Sequence, residues 1–370
     1  MRRAIHHMHA PARGESLTAF TRDKPGGPDR RIPRIPLGDL RMLALLAACG
    51  RIVRWQQREN WDRAVERMVH LRYRKHLRKR YPSFALAVKA VLGISDDEAA
   101  QMYKDSRRAN YRRLIIAAAE MARINWQPHI TVTGVAEVKR ALAEGHGALI
   151  WGTSFHSQTL VGKRGLFEAG LAAHQVSVFS HGLSRSAFGR RTINPGYLPA
   201  ENRYLAGRIS FDRGDGVDAA RQVARALRSN KIVLMTNNIY AGTRFAEAAF
   251  GAAGCIELAT APANFVLKSK AAMFMMSTFE IKPFEHYEIR IRPIWTAADR
   301  REGGSGQGDA RRADMAEILL RVRDGMLEDI KRAPSQYGLW GNQVNARTDK
   351  SVAGNAARPA GADRAEGEAQ

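Results

Sequence analysis

The stretch GVAEVKRALAEGHGALIWGTSFHS, residues 134–157, decides the fold class. Its first half has apolar residues at helical spacing and is closed by Gly145. Its second half, ALIWGT, is an uninterrupted apolar run of strand length. A short amphipathic helix feeding a buried strand is the unit of an α/β layered sheet. The same alternation continues downstream. QVSVFS (175–180) reads as a strand, residues 181–210 as a Gly/Arg/Pro-rich loop, and DGVDAARQVARALRSN (215–230) as a helix. KIVLMTN (231–237) is a further strand, and a loop with Gly242 and Gly251 leads to a helix around 257–270. AMFMMSTFE (272–280) and HYEIRIRPI (286–294) read as paired strands around Lys282-Pro283. REGGSGQGD (301–309) is predicted to be a flexible loop. The last helix is ADMAEILLRVRDGMLEDIKRAP (313–334), and no internal repeat is visible.

Upstream, residues 55–125 read as helical, with Pro82 as an interruption. Ser95 is a predicted N-cap, followed by Asp96, Asp97 and Glu98, where a helix dipole favours anions. Four regions result. Residues 1–36 lack hydrophobic periodicity and are expected to be a disordered basic tail. Residues 37–80 are amphipathic and basic helices facing a membrane or a partner. Residues 81–341 form the main α/β domain, and 342–370 an Ala/Gly/charged disordered tail.

The formal net charge is +23. Between Arg51 and Arg80, eleven Lys and Arg stand against Glu59, Asp62 and Glu66. Nucleic acid, an anionic membrane face or an acidic protein all suit such a surface, as does simple solvation. No zinc-ligand spacing, RNA-recognition sequence or GXXG loop stands out, which leaves a basic nucleic-acid-binding protein as the distant alternative. In LRMLALLAACGRIVRW (40–55) the apolar run is only Met42 to Cys49, short of the roughly 20 residues of a spanning helix. Arg41, Arg51, Arg54 and Trp55 suit a helix lying in the membrane interface. The late start of this segment, after a proline-rich region, argues against a cleaved signal peptide. Two cysteines, Cys49 and Cys255, make no disulfide framework and fit a reducing, cytoplasm-facing location. His6, His7 and His9 fall in the expected tail, and no metal site is assigned to them.

In open α/β sheets, sites gather at the carboxyl ends of strands. His156 sits just past one, where an imidazole can take the proton of an acceptor hydroxyl as it attacks an acyl thioester. Ser154 and Ser157 stand beside it, but no G-x-S-x-G elbow accompanies them.

Three blocks in order carry a family resemblance: VTGVAEVKRALAEGHGALIWGTSFHSQTL, then DRGDGVDAARQVARALRSNKIVLMTNNIYAGTRFAEAAFG, then LEDIKRAPSQYGLW. From Tyr81 to Trp340 the chain resembles the lipid A biosynthesis lauroyl/myristoyl acyltransferases of the lysophospholipid acyltransferase superfamily. The resemblance implies a mixed sheet flanked by helices, of the glycerolipid acyltransferase kind. It also implies transfer of a fatty acyl group from acyl carrier protein or CoA to a lipid or other hydroxyl or amine acceptor. The expected place is the cytoplasmic face of the bacterial inner membrane, peripherally bound, with no cofactor and no metal.

Carried over by position, His156 matches the family's histidine, but the acid expected five residues on is Val161. A second acid position matches Asn237 or Asn238. Glu168, Asp212 and Asp215 are candidate replacements. Arg208, Asp212, Arg213, Asn237, Asn238 and Arg244 are the candidate substrate-binding residues. Asp212 and Asp215 serve equally as helix caps, and Arg208 and Arg244 equally as phosphate grips or solvated surface. Phe250 and Gly251 match a structural turn, and Tyr337 and Trp340 are predicted core aromatics. Loss of the acid keeps open a catalytically inactive, acyl- or lipid-binding relative.

Overall fold

The computed structural model describes residues 2–22, 35–179, 181–184, 186–211, 216–236, 243–300 and 308–347. The chain begins with strands β1 (Arg2–Ala10) and β2 (Glu15–Arg22), then helices α1 (Leu37–Trp55), α2 (Trp61–Leu92) and α3 (Asp96–Met121). Next come β3 (His129–Thr133), α4 (Val135–Ala143), β4 (Ala148–Gly152), α5 (Val161–Glu168) and β5 (Ala173–Val178). They are followed by α6 (Ala187–Thr192), α7 (Asn194–Asn202), β6 (Leu205–Phe211), α8 (Gly216–Arg228) and β7 (Ile232–Thr236). β8 (Arg244–Phe250), β9 (Gly254–Ala259), α9 (Ala261–Ser269), β10 (Ala272–Lys282) and β11 (His286–Trp295) lead to α10 (Gly308–Arg332) and β12 (Val344–Ala346).

The fold is α/β. A seven-stranded mixed sheet in the order β3-β11-β10-β4-β7-β5-β6 is flanked by helices. Only β10 and β11 pair antiparallel; the other neighbours are parallel. Central strand β4 is buried along its whole length, as a strand covered on both faces must be. Its side chains alternate between two cores. Leu149 and Trp151 join Met273 and Met275 under α10 and α2, while Ala148 and Ile150 join Phe274, Leu166 and Val138 under α4 and α5. A third core packs α1, α2 and α3 against Leu160, Val161, Tyr197, Phe284 and Tyr287. The helical section is therefore seated on the residues that follow β4 and β10.

Several expectations need correction. Residues 2–22 are a β-hairpin, not a disordered tail, with Met8, Ala10, Leu17 and Ala19 buried in the main core. Residues 23–34 lie outside the described residues. The hairpin joins a second, antiparallel sheet in the order β1-β2-β8-β9-β12. Arg13 in its turn pairs with Glu317 at 3.0 Å, and Glu15 bonds Arg323 on α10 at 3.0 Å. The C-terminal tail begins later than 342, because Val344–Ala346 pairs with β9; residues 348–370 lie outside the described residues. The expected loop across Gly242 and Gly251 contains the β8–β9 hairpin, and the helix after it spans only Ala261–Ser269. The expected loop 181–210 contains α6, α7 and β6.

The boundary at 80/81 also fails, because α2 runs through Pro82 to Leu92. A proline inside a helix costs about 3 kcal/mol. Here Phe84, Val88 and Val91 continue the apolar face beyond Pro82 into the main core, and that burial offsets the penalty. The Ser95 cap stands as predicted: its hydroxyl accepts from the Glu98 amide, and Glu98 accepts from the Ser95 amide.

Candidate active site

Beyond β4 the chain does not leave the sheet freely. The Thr153 amide and hydroxyl both donate to the carbonyl of Met276, at 2.9 and 3.0 Å. Thr153 also shares a hydrogen bond with Ser277, which donates to the buried Asp329 at 2.6 Å. Phe155 bridges to Tyr337, and the amide of Gly338 donates to the carbonyl of Ser154 at 2.9 Å. Two residues on, Thr278 donates to Gln158 at 2.8 Å. A short 3-10 turn, His156–Thr159, is thus pinned on both sides before α5 begins.

The half-buried His156 ring lies between α3 and the C-terminal segment. Its Nε2 shares a hydrogen bond of 3.3 Å with the hydroxyl of Ser106. Its other edge faces Gly338, where an added Cβ would stand 3.4 Å from Cε1 and 3.5 Å from Nδ1. Burial, then the positive charge of Arg113, then that of Arg107, push the imidazole down to about 3. At neutral pH it is an uncharged ring with a free lone pair.

The expected acid position is apolar. Val161 is buried and packs in the core with Leu160, Tyr111 and Tyr197. Glu168 ends the same helix and is held by Arg164 at 2.7 Å. No carboxylate among the described residues is hydrogen-bonded to His156. Asp212, Arg213, Asp215, Asn237 and Asn238 lie outside the described residues.

The structure does not gather the remaining candidates around the histidine. Arg208 sits on β6, three strands from β4 and so about 14 Å across the sheet. Its guanidinium is engaged by Glu201 at 2.6 Å, Asn202 at 2.7 Å and Ser177 at 3.1 Å. Glu201 is fully buried and also binds Lys163 and His181. Burial alone would raise this carboxyl, but Lys163, His181 and Arg208 hold it well below the usual carboxylate range. Arg244 opens β8 in the other sheet and is exposed. Tyr337 and Trp340 are core aromatics as predicted, and Tyr337 donates to Gln343 at 2.6 Å.

What sequence reasoning missed is the contribution of α3. Ser106, Asn110 and Arg113 recur at i, i+4 and i+7, one helical face inside the run DSRRANYRR. That polar stripe, next to the apolar LIIAAA, was the available signal; it was hidden inside a charge run. Arg113 donates to Asn110 at 3.2 Å, and Arg107 lies over the Tyr111 ring at 5.5 Å. Two cavities border α3 without reaching His156. One, about 380 Å³, is charged and lined by Asp105, Arg108, Arg112 and Glu280. The other, about 480 Å³, is a groove between α1 and α3 lined by Leu46, Gly50, Arg51, Trp55 and Met121.

In comparison with known proteins, no family model and no curated protein matches this chain.

Proposed function

We propose that this chain is an acyltransferase of the lipid A acyltransferase kind, with His156 as its proton acceptor. It moves a fatty acyl group from a thioester of acyl carrier protein or CoA to a hydroxyl or amine of a lipid acceptor. The observation that carries this reading is His156 itself: an uncharged imidazole, fixed by Ser106, at the carboxyl end of the central strand. His156 takes the acceptor proton as the acceptor oxygen or nitrogen attacks the thioester carbonyl. The C–S bond then breaks, and the proton passes to the leaving thiolate.

The exposed face of α1 supports action at an anionic membrane surface. Leu37, Leu40 and Trp55 project there with Arg41, Arg51 and Arg54, and the one acid of the helix, Asp39, is buried on Ser184 and Ser186. No helix among the described residues is long and apolar enough to cross a membrane. We place the protein peripherally at the cytoplasmic face of the inner membrane.

Val161 favours a second reading, a catalytically silent acyl- or lipid-binding protein. Without an orienting acid, a histidine in a comparable site loses about 10⁴-fold in turnover. A transfer assay with acyl carrier protein and CoA thioesters on lipid extract separates the two. Wild type is expected to transfer and His156→Ala to lose at least about 10²-fold. Equal rates for both proteins would leave only the silent reading. Val161→Glu is not a rescue, since it buries a carboxylate among apolar side chains; it is expected to lower the melting temperature.

A further inference from the structure

Four arginines within seven residues of α3 have two different fates. Arg108 is matched by Glu66 at 3.0 Å and by Asp105, and Arg112 by Asp62 at 2.7 Å and Glu280 at 3.2 Å. Arg107 and Arg113, which straddle the Ser106 face, have no carboxylate partner among the described residues. Among the described residues, the hydrogen bond of the Arg113 guanidinium goes to a neutral amide, Asn110. The Arg107 Nε and the Tyr111 hydroxyl beside it are buried with no hydrogen-bond partner among the described residues. Buried donors are almost always satisfied, and half-buried cations left without a counter-ion are available to an anion. Both features lie on the helix that holds His156 through Ser106, and both cations lower the proton affinity of its ring.

We propose that Arg107 and Arg113 bind a phosphate group of the substrate beside His156, and that this anion supplies the negative charge Val161 cannot. Two guanidinium forks present paired donors that suit phosphate oxygens. Their combined charge is matched by one phosphomonoester. The substrate then completes the site: an anion there stabilises the imidazolium that forms when His156 takes the acceptor proton. An empty site holds a ring too weakly basic to do so efficiently, and a filled one restores its basicity. By reciprocity, the anion binds more tightly as His156 becomes protonated. The phosphate belongs to the headgroup of a lipid acceptor, because a phosphopantetheine arm carries its phosphate at the end opposite the thioester that reacts beside His156. The proposal rests on the acyl-transfer reading for its substrate.

The groups facing His156 from its neighbours are few. Helix α3 contributes Ser106, Arg107 and Arg113, and the C-terminal segment contributes Gly338 and Tyr337, whose hydroxyl is spent on Gln343. From β10, Thr278 and Phe279 pack on the same turn and carry no charge.

The test is a pH titration of the full chain with ¹³C-labelled histidine, the His156 signal being identified by its loss in His156→Gln. Inorganic phosphate, compared with chloride at equal ionic strength, is expected to raise the His156 titration midpoint by at least about one unit, a tenfold change in proton affinity. The paired substitution Arg107→Gln, Arg113→Gln is expected to abolish that response. Arg225→Gln with Arg228→Gln, on α8, is expected to keep it. A wild-type midpoint indifferent to phosphate overturns the proposal, whether or not the variants fold. A response that survives in a folded Arg107/Arg113 double variant overturns it equally.

Soluble substrates then identify the source. A shift with lysophosphatidate but not monoacylglycerol puts the phosphate on the acceptor. Indifference to lysophosphatidate overturns the substrate assignment. A phosphate response without any acyl transfer would remove the acyl-transfer reading and leave the anion site; transfer without a phosphate response would do the reverse.

Discussion

His156 is held by geometry, and no carboxylate among the described residues is bonded to it. Its hydrogen-bond partner is a serine hydroxyl, and its electrostatic neighbours are cations. The consequence for stability has a definite sign. The folded ring titrates at about 3, whereas an unfolded histidine titrates near 6.5. Between those values the unfolded chain binds a proton that the folded protein refuses, so stability falls as pH falls through that window. Denaturant melts from pH 7 to pH 4 are expected to show a shallower decline for His156→Gln than for wild type. Equal slopes would mean that the ring is readily protonated in the folded state. Val161 is the complementary residue: a carboxylate placed there would sit in the apolar core beneath the helical section, with no aqueous path to balance it.

Among the elements, α1 separates packing from surface function most clearly. Leu46, Cys49 and Val53 bury one face, while Leu40, Arg41, Arg51, Arg54 and Trp55 remain exposed on the other. Trp55 is 80% exposed at the end of the helix. Interfacial binding combines such aromatic anchors with cationic side chains near anionic lipid. Flotation with vesicles rich in phosphatidylglycerol is expected to fall several-fold for Arg51→Glu with Arg54→Glu, and for Trp55→Ala. The melting temperature is expected to stay nearly constant, because neither site is packed. Undiminished flotation of both variants would assign the membrane contact elsewhere. Helix α3 has the opposite design: its Ser106 face points inward to His156, while Asp105, Arg108 and Arg112 on another face line the charged cavity.

At the scale of the whole molecule, the second sheet ties both ends of the chain to its middle. β2 pairs with β8 and β12 with β9, and the hairpin turn is clamped to α10 through Arg13 and Glu15. Removal of residues 1–22 strips Met8, Ala10, Leu17 and Ala19 from the main core and exposes the edge of β8. The truncated protein is expected to melt several degrees lower and to aggregate more readily; an unchanged melting temperature would mean that the hairpin is dispensable. This hairpin was illegible in the sequence because RRAIHHMHA has no period-two alternation of apolar and polar residues, and only its partners reveal which side is buried. β4 and β10 were legible because their apolar content is high enough to declare burial without a partner, and β11 because its apolar residues alternate with charged ones. For the same reason Ser95 declared its helix, since a capping box is a local hydrogen-bond pattern. Local periodicity thus determined the α/β class, the helix that opens at Ser95 and the place of His156 beyond a buried strand. Tertiary structure alone decided what faces that histidine. Ser106, Arg107, Arg113 and Gly338 lie about fifty residues or far more away along the chain, and only packing across the sheet's carboxyl edge brings them to the ring.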